Sequence, residues 1–153
     1  MNSVLIDCQN IEEPAWLPRL EAFVQTLLHD LGRVGWEVSI LLCDDPAIAQ
    51  LNAEYRGKEG ATDVLSFPQV ESADEIPENG PFLAGDIIIS MDTLRSNAEY
   101  FAVEPGEEFK RLVIHGILHL SGLDHDTIDA SEPMLVEQER LVAMYRGETV
   151  FSS

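Results

Sequence analysis

A chain of 153 residues, 45% apolar and 24% charged, is long enough for one domain with a real core, and it needs no disulfide staple. No apolar run approaches the length of a membrane span, so no membrane-spanning helix is expected. A net charge of −19 at pH 7 repels phosphates and excludes broad nucleic-acid binding by general basicity. A small basic site on the acidic body stays open, since the nine Lys and Arg residues include two close pairs, Arg56 with Lys58 and Lys110 with Arg111.

In chain order, "SVLIDC" near the start is a short β-type run. The opening "MNSVLIDCQN" has neither the basic region nor the cleavage site of a signal peptide, so a cytoplasmic location is expected. That setting makes Cys8 and Cys43 reduced, buried small residues, and without a CxxC they are poor metal ligands. "EEPAWLPRLEAFVQTLLHDLG" carries Trp16, Leu20, Phe23, Val24, Leu27, Leu28 and Leu31 at helical spacing, with Pro14 near its start and Gly32 past its end. His29, near that helix's C-terminus, suits the dipole and reads as structural. "WEVSILLCDD" reads as a strand, and "DPAIAQLNAEYRGK" as a helix capped by Asp44 or Asp45 with Pro46 in its first turn.

"TDVLSFP" is a strand that Pro68 ends or leaves at an edge. The segment 69–82, with four acids, two prolines and a glycine, is a solvated loop. "AGDIIIS" is a buried strand, and three helices follow in "MDTLRSNAEYFA", "EPGEEFKRLVIHGILHLSG" and "ASEPMLVEQERLVAMYRG". The order β-α-β-α-β-β-α-α-α predicts an α+β fold: a compact single domain over 1–153, with a mixed sheet of about four strands packed against helices. Strands separated by helices favour parallel pairing, and the two strands joined by the acidic loop favour one antiparallel pair.

Three of the four histidines lie in "HGILHLSGLDH". Pro105, Glu107 and Glu108 fit the first turn of its helix, and Gly122 is a natural stop. His115 and His119 are then four apart on one helix face, with Cβ atoms about 6 Å apart. The turn at Gly122 brings His125 back toward them. The spacing His-x3-His-x2-Gly-x2-His is the histidine and glycine spacing of metzincin zinc proteases. Three neutral imidazoles suit zinc and leave a fourth position for water, as in a catalytic site. Either Asp124 or Asp126 is placed to orient a ligand imidazole, although Asp126 reads more simply as a turn residue. A protease of the HExxH type has glutamate after the first histidine as general base. Here that residue is Gly116, which disfavours a peptidase mechanism.

"HGILHLSGLDH" resembles the HGxLHLxGxDH signature of the YbeY-type endoribonucleases, zinc-dependent proteins of bacterial ribosome maturation. "LNAEYRGKEGATDVLSFP" (51–68) resembles that family's LNxxYRGKxxxTDVLSFP block, and "GDIIIS" matches a third. Leu123 stands where many members carry an aromatic residue. The resemblance implies a zincin-like α+β fold and one zinc ion per chain on His115, His119 and His125. It implies a functional arginine at Arg56, catalytic and substrate-binding. The implied substrate is RNA, above all the 3′ end of small-subunit ribosomal RNA, with the small ribosomal subunit or its proteins as partner and a role in ribosome quality control. Arg56 read alone is a surface arginine at a helix end, favourable to the dipole. Beside a metal it can grip a phosphate bidentately. Lys58 is a second candidate for substrate binding. Arg111, one turn before His115, reads as a solvated-face residue rather than part of the cleft. The competing expectation is a ribosome-assembly factor whose metal is structural and whose nuclease activity is slight.

Overall fold

A computed structural model describes residues 2–125, 129 and 131–148. The elements run β1 (Ser3–Gln9), α1 (Leu17–Asp30), β2 (Trp36–Cys43), α2 (Asp45–Arg56), β3 (Val64–Pro68), β4 (Phe82–Ser90), α3 (Met91–Tyr100), α4 (Pro105–Leu120) and α5 (Pro133–Met144). The strands form one sheet in the order β1-β2-β4-β3. β1 and β4 pair with β2 in parallel, and β3 pairs with β4 antiparallel. This is the α+β class and the mixed four-stranded sheet expected from the sequence. Pro68 closes the edge strand β3, where its missing N–H costs no ladder bond within the sheet.

The sheet has unequal faces. Val38, Ile40 and Leu42 of β2 and Ala84, Ile87 and Ile89 of β4 meet α1, α4 and α5 in the main core. Strict alternation would put Ala84 and Ile87 on opposite faces. A register shift between Glu37 and Val38 leaves Ala84 as the extra residue of a bulge, and Gly85 adopts φ 140 to make it. The other face carries a smaller cluster of Cys43, Ala47, Ile48, Leu65 and Ile88 under α2. Cys43 is buried in the smaller cluster as expected, whereas Cys8 is only half-buried against the main core, and both are free thiols.

Local chemistry sets most helix ends. Asp44 caps α2 by accepting from Ala47 N at 3.0 Å. Asp45 instead accepts from Ser90 Oγ at 2.6 Å, tying α2 to the end of β4. α1 starts later than the sequence pattern suggested. It begins at Leu17 with Pro18 in its first turn, and the stretch from Pro14 to Trp16 precedes it. Proline at N1 or N2 sacrifices no helical hydrogen bond, so Pro18 fits the start better than Pro14. The acidic loop holds one 3₁₀ turn, Ala73–Glu75, capped by the Ser72 side chain.

Candidate metal centre

α4 carries two of the three histidines because its apolar stripe is fixed against the sheet. Phe109, Val113, Gly116, Ile117 and Leu120 are buried, which turns His115 and His119 toward the cleft at one edge of that stripe. The helix ends in a Schellman motif: Gly122 N donates to His119 O at 3.0 Å and Leu123 N to Leu118 O at 3.1 Å. Gly122 takes φ 89, and a Cβ there would meet Ala73 N at 2.5 Å. The acidic loop therefore packs against the turn that returns His125.

The ligand atoms of His115, His119 and His125 all lie within 4.8 Å of one another. His115 Nε2 and His119 Nε2 are 3.1 Å apart. Two nitrogens on a tetrahedral zinc at about 2.0–2.1 Å would be roughly 3.4 Å apart, so the His115–His119 pair fits such an ion, while the wider span of the full set means that the three donors would draw together around it. Burial pushes the His115 imidazole below its ordinary pKa, against the hydrogen bond it donates to Gln138 Oε1. Burial, with His115 alongside, pushes His119 down to about 4. Both rings are therefore neutral at pH 7, the form that binds a metal.

Gly116 occupies the position where a zincin has its glutamate. A Cβ there would lie 2.8–3.0 Å from three atoms of Ile87 on β4. A side chain there would force Ile87 to shift, so glycine lets α4 pack closely on β4. Gly116→Ala is expected to destabilise the protein by about 1–3 kcal/mol through overpacking, read as a lower urea midpoint with unchanged slope.

The histidines line a cleft of about 500 Å³ together with Arg56, Tyr55, Ser66, Phe67 and Asp124. Arg56 is the last residue of α2, and Gly57 closes the helix at φ 64. Lys58 is exposed just beyond that cap and is not among the cleft residues. Asp124 is largely exposed. Its Oδ1 accepts from His125 N at 2.8 Å and lies 3.9 Å from His119 Nδ1, beyond a direct hydrogen bond. Asp126 lies outside the described residues. Asp63 fixes the entry to β3 by accepting from Val64 N at 2.8 Å and from Asn97 Nδ2 at 3.2 Å. His29 is exposed in the last turn of α1, apart from the cluster.

The second basic pair serves the scaffold. Lys110 is buried, and its Nζ donates to the carbonyls of Tyr145 and Glu148, each at 2.8 Å, tying α4 to the end of α5. Arg111 is only 20% exposed and not on a solvated face. Its Nε donates to Glu139 at 2.8 Å and its Nη1 to Glu108 at 2.9 Å. Sequence reasoning missed two features. Tyr55, 68% exposed and edge-on to Phe67, stands beside Arg56 in the cleft. Gln138 of α5 hydrogen-bonds to His115 Nδ1 at 2.6 Å. The first was legible as the residue before Arg56. The second had no signal in the sequence.

Comparison with known proteins places this architecture. The family model described as endoribonuclease YbeY matches residues 6–146. A relative from Treponema denticola bearing that name is 44% identical over 133 residues, 87% of this chain and 86% of its own. One from Treponema pallidum is 42% identical over 145 residues, 95% and 91% of the two chains. The solution structure of a Thermotoga maritima protein is similar with a TM-score of 0.64 and 27% identity, covering 98% of this chain and 96% of that one. Matched across nearly its whole length and carrying the three clustered histidines, this chain belongs to the endoribonuclease YbeY family.

Proposed function

We propose that the chain is a zinc-dependent endoribonuclease that cuts single-stranded RNA, acting on the 3′ end of small-subunit ribosomal RNA and in ribosome quality control. The carrying observation is that Arg56 and the three imidazoles line one cleft, although they come from α2, α4 and the turn after α4. His115, His119 and His125 would hold one zinc ion. When bound, zinc supplies Lewis acidity and lowers the pKa of a water at the open fourth position. Arg56 grips the non-bridging oxygens of the scissile phosphate and offsets charge that grows in the transition state. Lys58, outside the cleft, meets a flanking phosphate. Asp124 steadies the ligand turn through His125 N. Tyr55 offers a face for an unpaired base, and such stacking is worth about 1–3 kcal/mol per base. That favours single strands over duplex.

With a charge of −19, affinity cannot come from the body of the protein. It comes from the cleft and from docking on the small subunit in the cytoplasm. The test is complementation of a deletion strain. His119→Ala, expressed and folded, should leave small-subunit RNA with unprocessed 3′ ends, read by primer-based end mapping. Normal ends with that variant would overturn the nuclease reading and support an assembly factor whose metal is structural.

A further inference from the structure

We propose that Gln138 of α5 is a positioning residue for the metal: it locks His115 in the tautomer that presents Nε2 to the ion. The proposal rests on the reading of the three histidines as metal ligands.

Gln138 is 7% exposed, and its Oε1 lies 2.6 Å from His115 Nδ1. An amide can turn either end toward an imidazole, so the other end decides. Gln138 Nε2 donates to Glu139 Oε2 at 3.0 Å. An ionised carboxylate only accepts, so the NH₂ must face Glu139 and the oxygen must face His115. A carbonyl oxygen also only accepts, so Nδ1 carries the hydrogen. A neutral imidazole has one N–H, and Nε2 is therefore left with its lone pair. That nitrogen is the one 3.1 Å from His119 Nε2.

Glu139 is itself held. Arg111 donates to its two oxygens from Nε at 2.8 Å and Nη2 at 3.0 Å, and Arg111 Nη1 donates back to Glu108 at 2.9 Å. The chain of bonds leaves α4 at Arg111, crosses to Glu139 and Gln138 on α5, and returns to α4 at His115. α5 contributes no residue to the cleft lining, yet it sets the orientation of a ligand. Partners of this kind typically cost 10–100-fold in metal affinity when removed.

The test compares zinc affinity, by competition with a chromophoric chelator, for wild type, Gln138→Leu, Gln138→Glu and Glu139→Ala. ¹⁵N-imidazole spectra of the metal-free proteins report the His115 tautomer. Gln138→Leu keeps the volume and removes the acceptor, and should bind zinc about 10–100-fold more weakly, with an Nε2–H form of His115 appearing. Gln138→Glu keeps an acceptor and should hold affinity near wild type with Nδ1–H retained. Glu139→Ala truncates a half-exposed side chain and leaves Arg111 paired with Glu107 and Glu108, and a matching circular dichroism spectrum checks the fold. It should show the same tautomer change with a smaller loss. Wild-type affinity in both Gln138→Leu and Glu139→Ala overturns the proposal, as does an equal loss in Gln138→Leu and Gln138→Glu. A wild type that binds no zinc instead overturns the underlying reading of the histidines.

Discussion

Replacing His119 by alanine is expected to abolish stoichiometric metal binding while the fold stays intact. The residue sits in the last turn of α4 with its side chain 22% exposed, and alanine is the stronger helix former. Nothing in the main core loses a contact that holds the sheet, whereas the metal loses one of three protein ligands. The affinity loss should exceed the roughly 10–100-fold that outer partners cost. Inductively coupled plasma mass spectrometry should find about one zinc per wild-type chain and almost none in the variant, with matching circular dichroism spectra. The metal-free proteins should also differ in acid. The folded pKa of His119, about 4, lies below the ordinary value of 6.5, so between those values the unfolded chain binds more protons than the folded one. Its contribution to stability is full above pH 6.5 and is lost as pH falls toward 4. His119→Ala should flatten that part of the stability–pH curve, and an unchanged slope would contradict the burial of the ring.

Arg56→Ala is expected to do the opposite: keep the metal and lose the chemistry. Arg56 is exposed at the end of α2, and its helix is closed independently by Gly57. Removing it should cost at most about 0.3–1 kcal/mol of dipole stabilisation. Loss of one preorganised group that meets transition-state charge typically costs about 10²–10³ in kcat. Single-turnover cleavage of a single-stranded RNA should fall by that factor at unchanged zinc content. Arg56→Lys should recover only part of the rate, because an ammonium is a point charge without the bidentate fork. Full activity in Arg56→Ala would remove the arginine from the mechanism and leave the bland helix-end reading.

Local chemistry was legible in the sequence, and contacts between distant segments were not. The three histidines, the stop at Gly122 and the cap at Asp44 all follow from spacings of a few residues, and the structure has each of them. The pairing directions followed from which strands were separated by helices. The bulge that turns Ala84 into the main core depends on the register between β2 and β4, which no short pattern encodes. Arg111 read as solvated because its partner Glu139 is 28 residues away on another helix. Gln138 is 23 residues from the histidine it touches and was invisible for the same reason. Gly116 is the instructive case. As a sequence feature it was a missing catalytic base, and in three dimensions it is the contact that lets α4 lie close to Ile87.

The most direct measurement is cleavage of an end-labelled single-stranded RNA carrying the small-subunit 3′ sequence, by protein stripped of metal and then given one equivalent of zinc. No cleavage is expected without metal, cleavage on zinc addition, and none from zinc-treated His119→Ala. RNA left intact by the zinc-loaded wild type, or cut equally well by the stripped protein, would contradict the zinc-dependent nuclease reading.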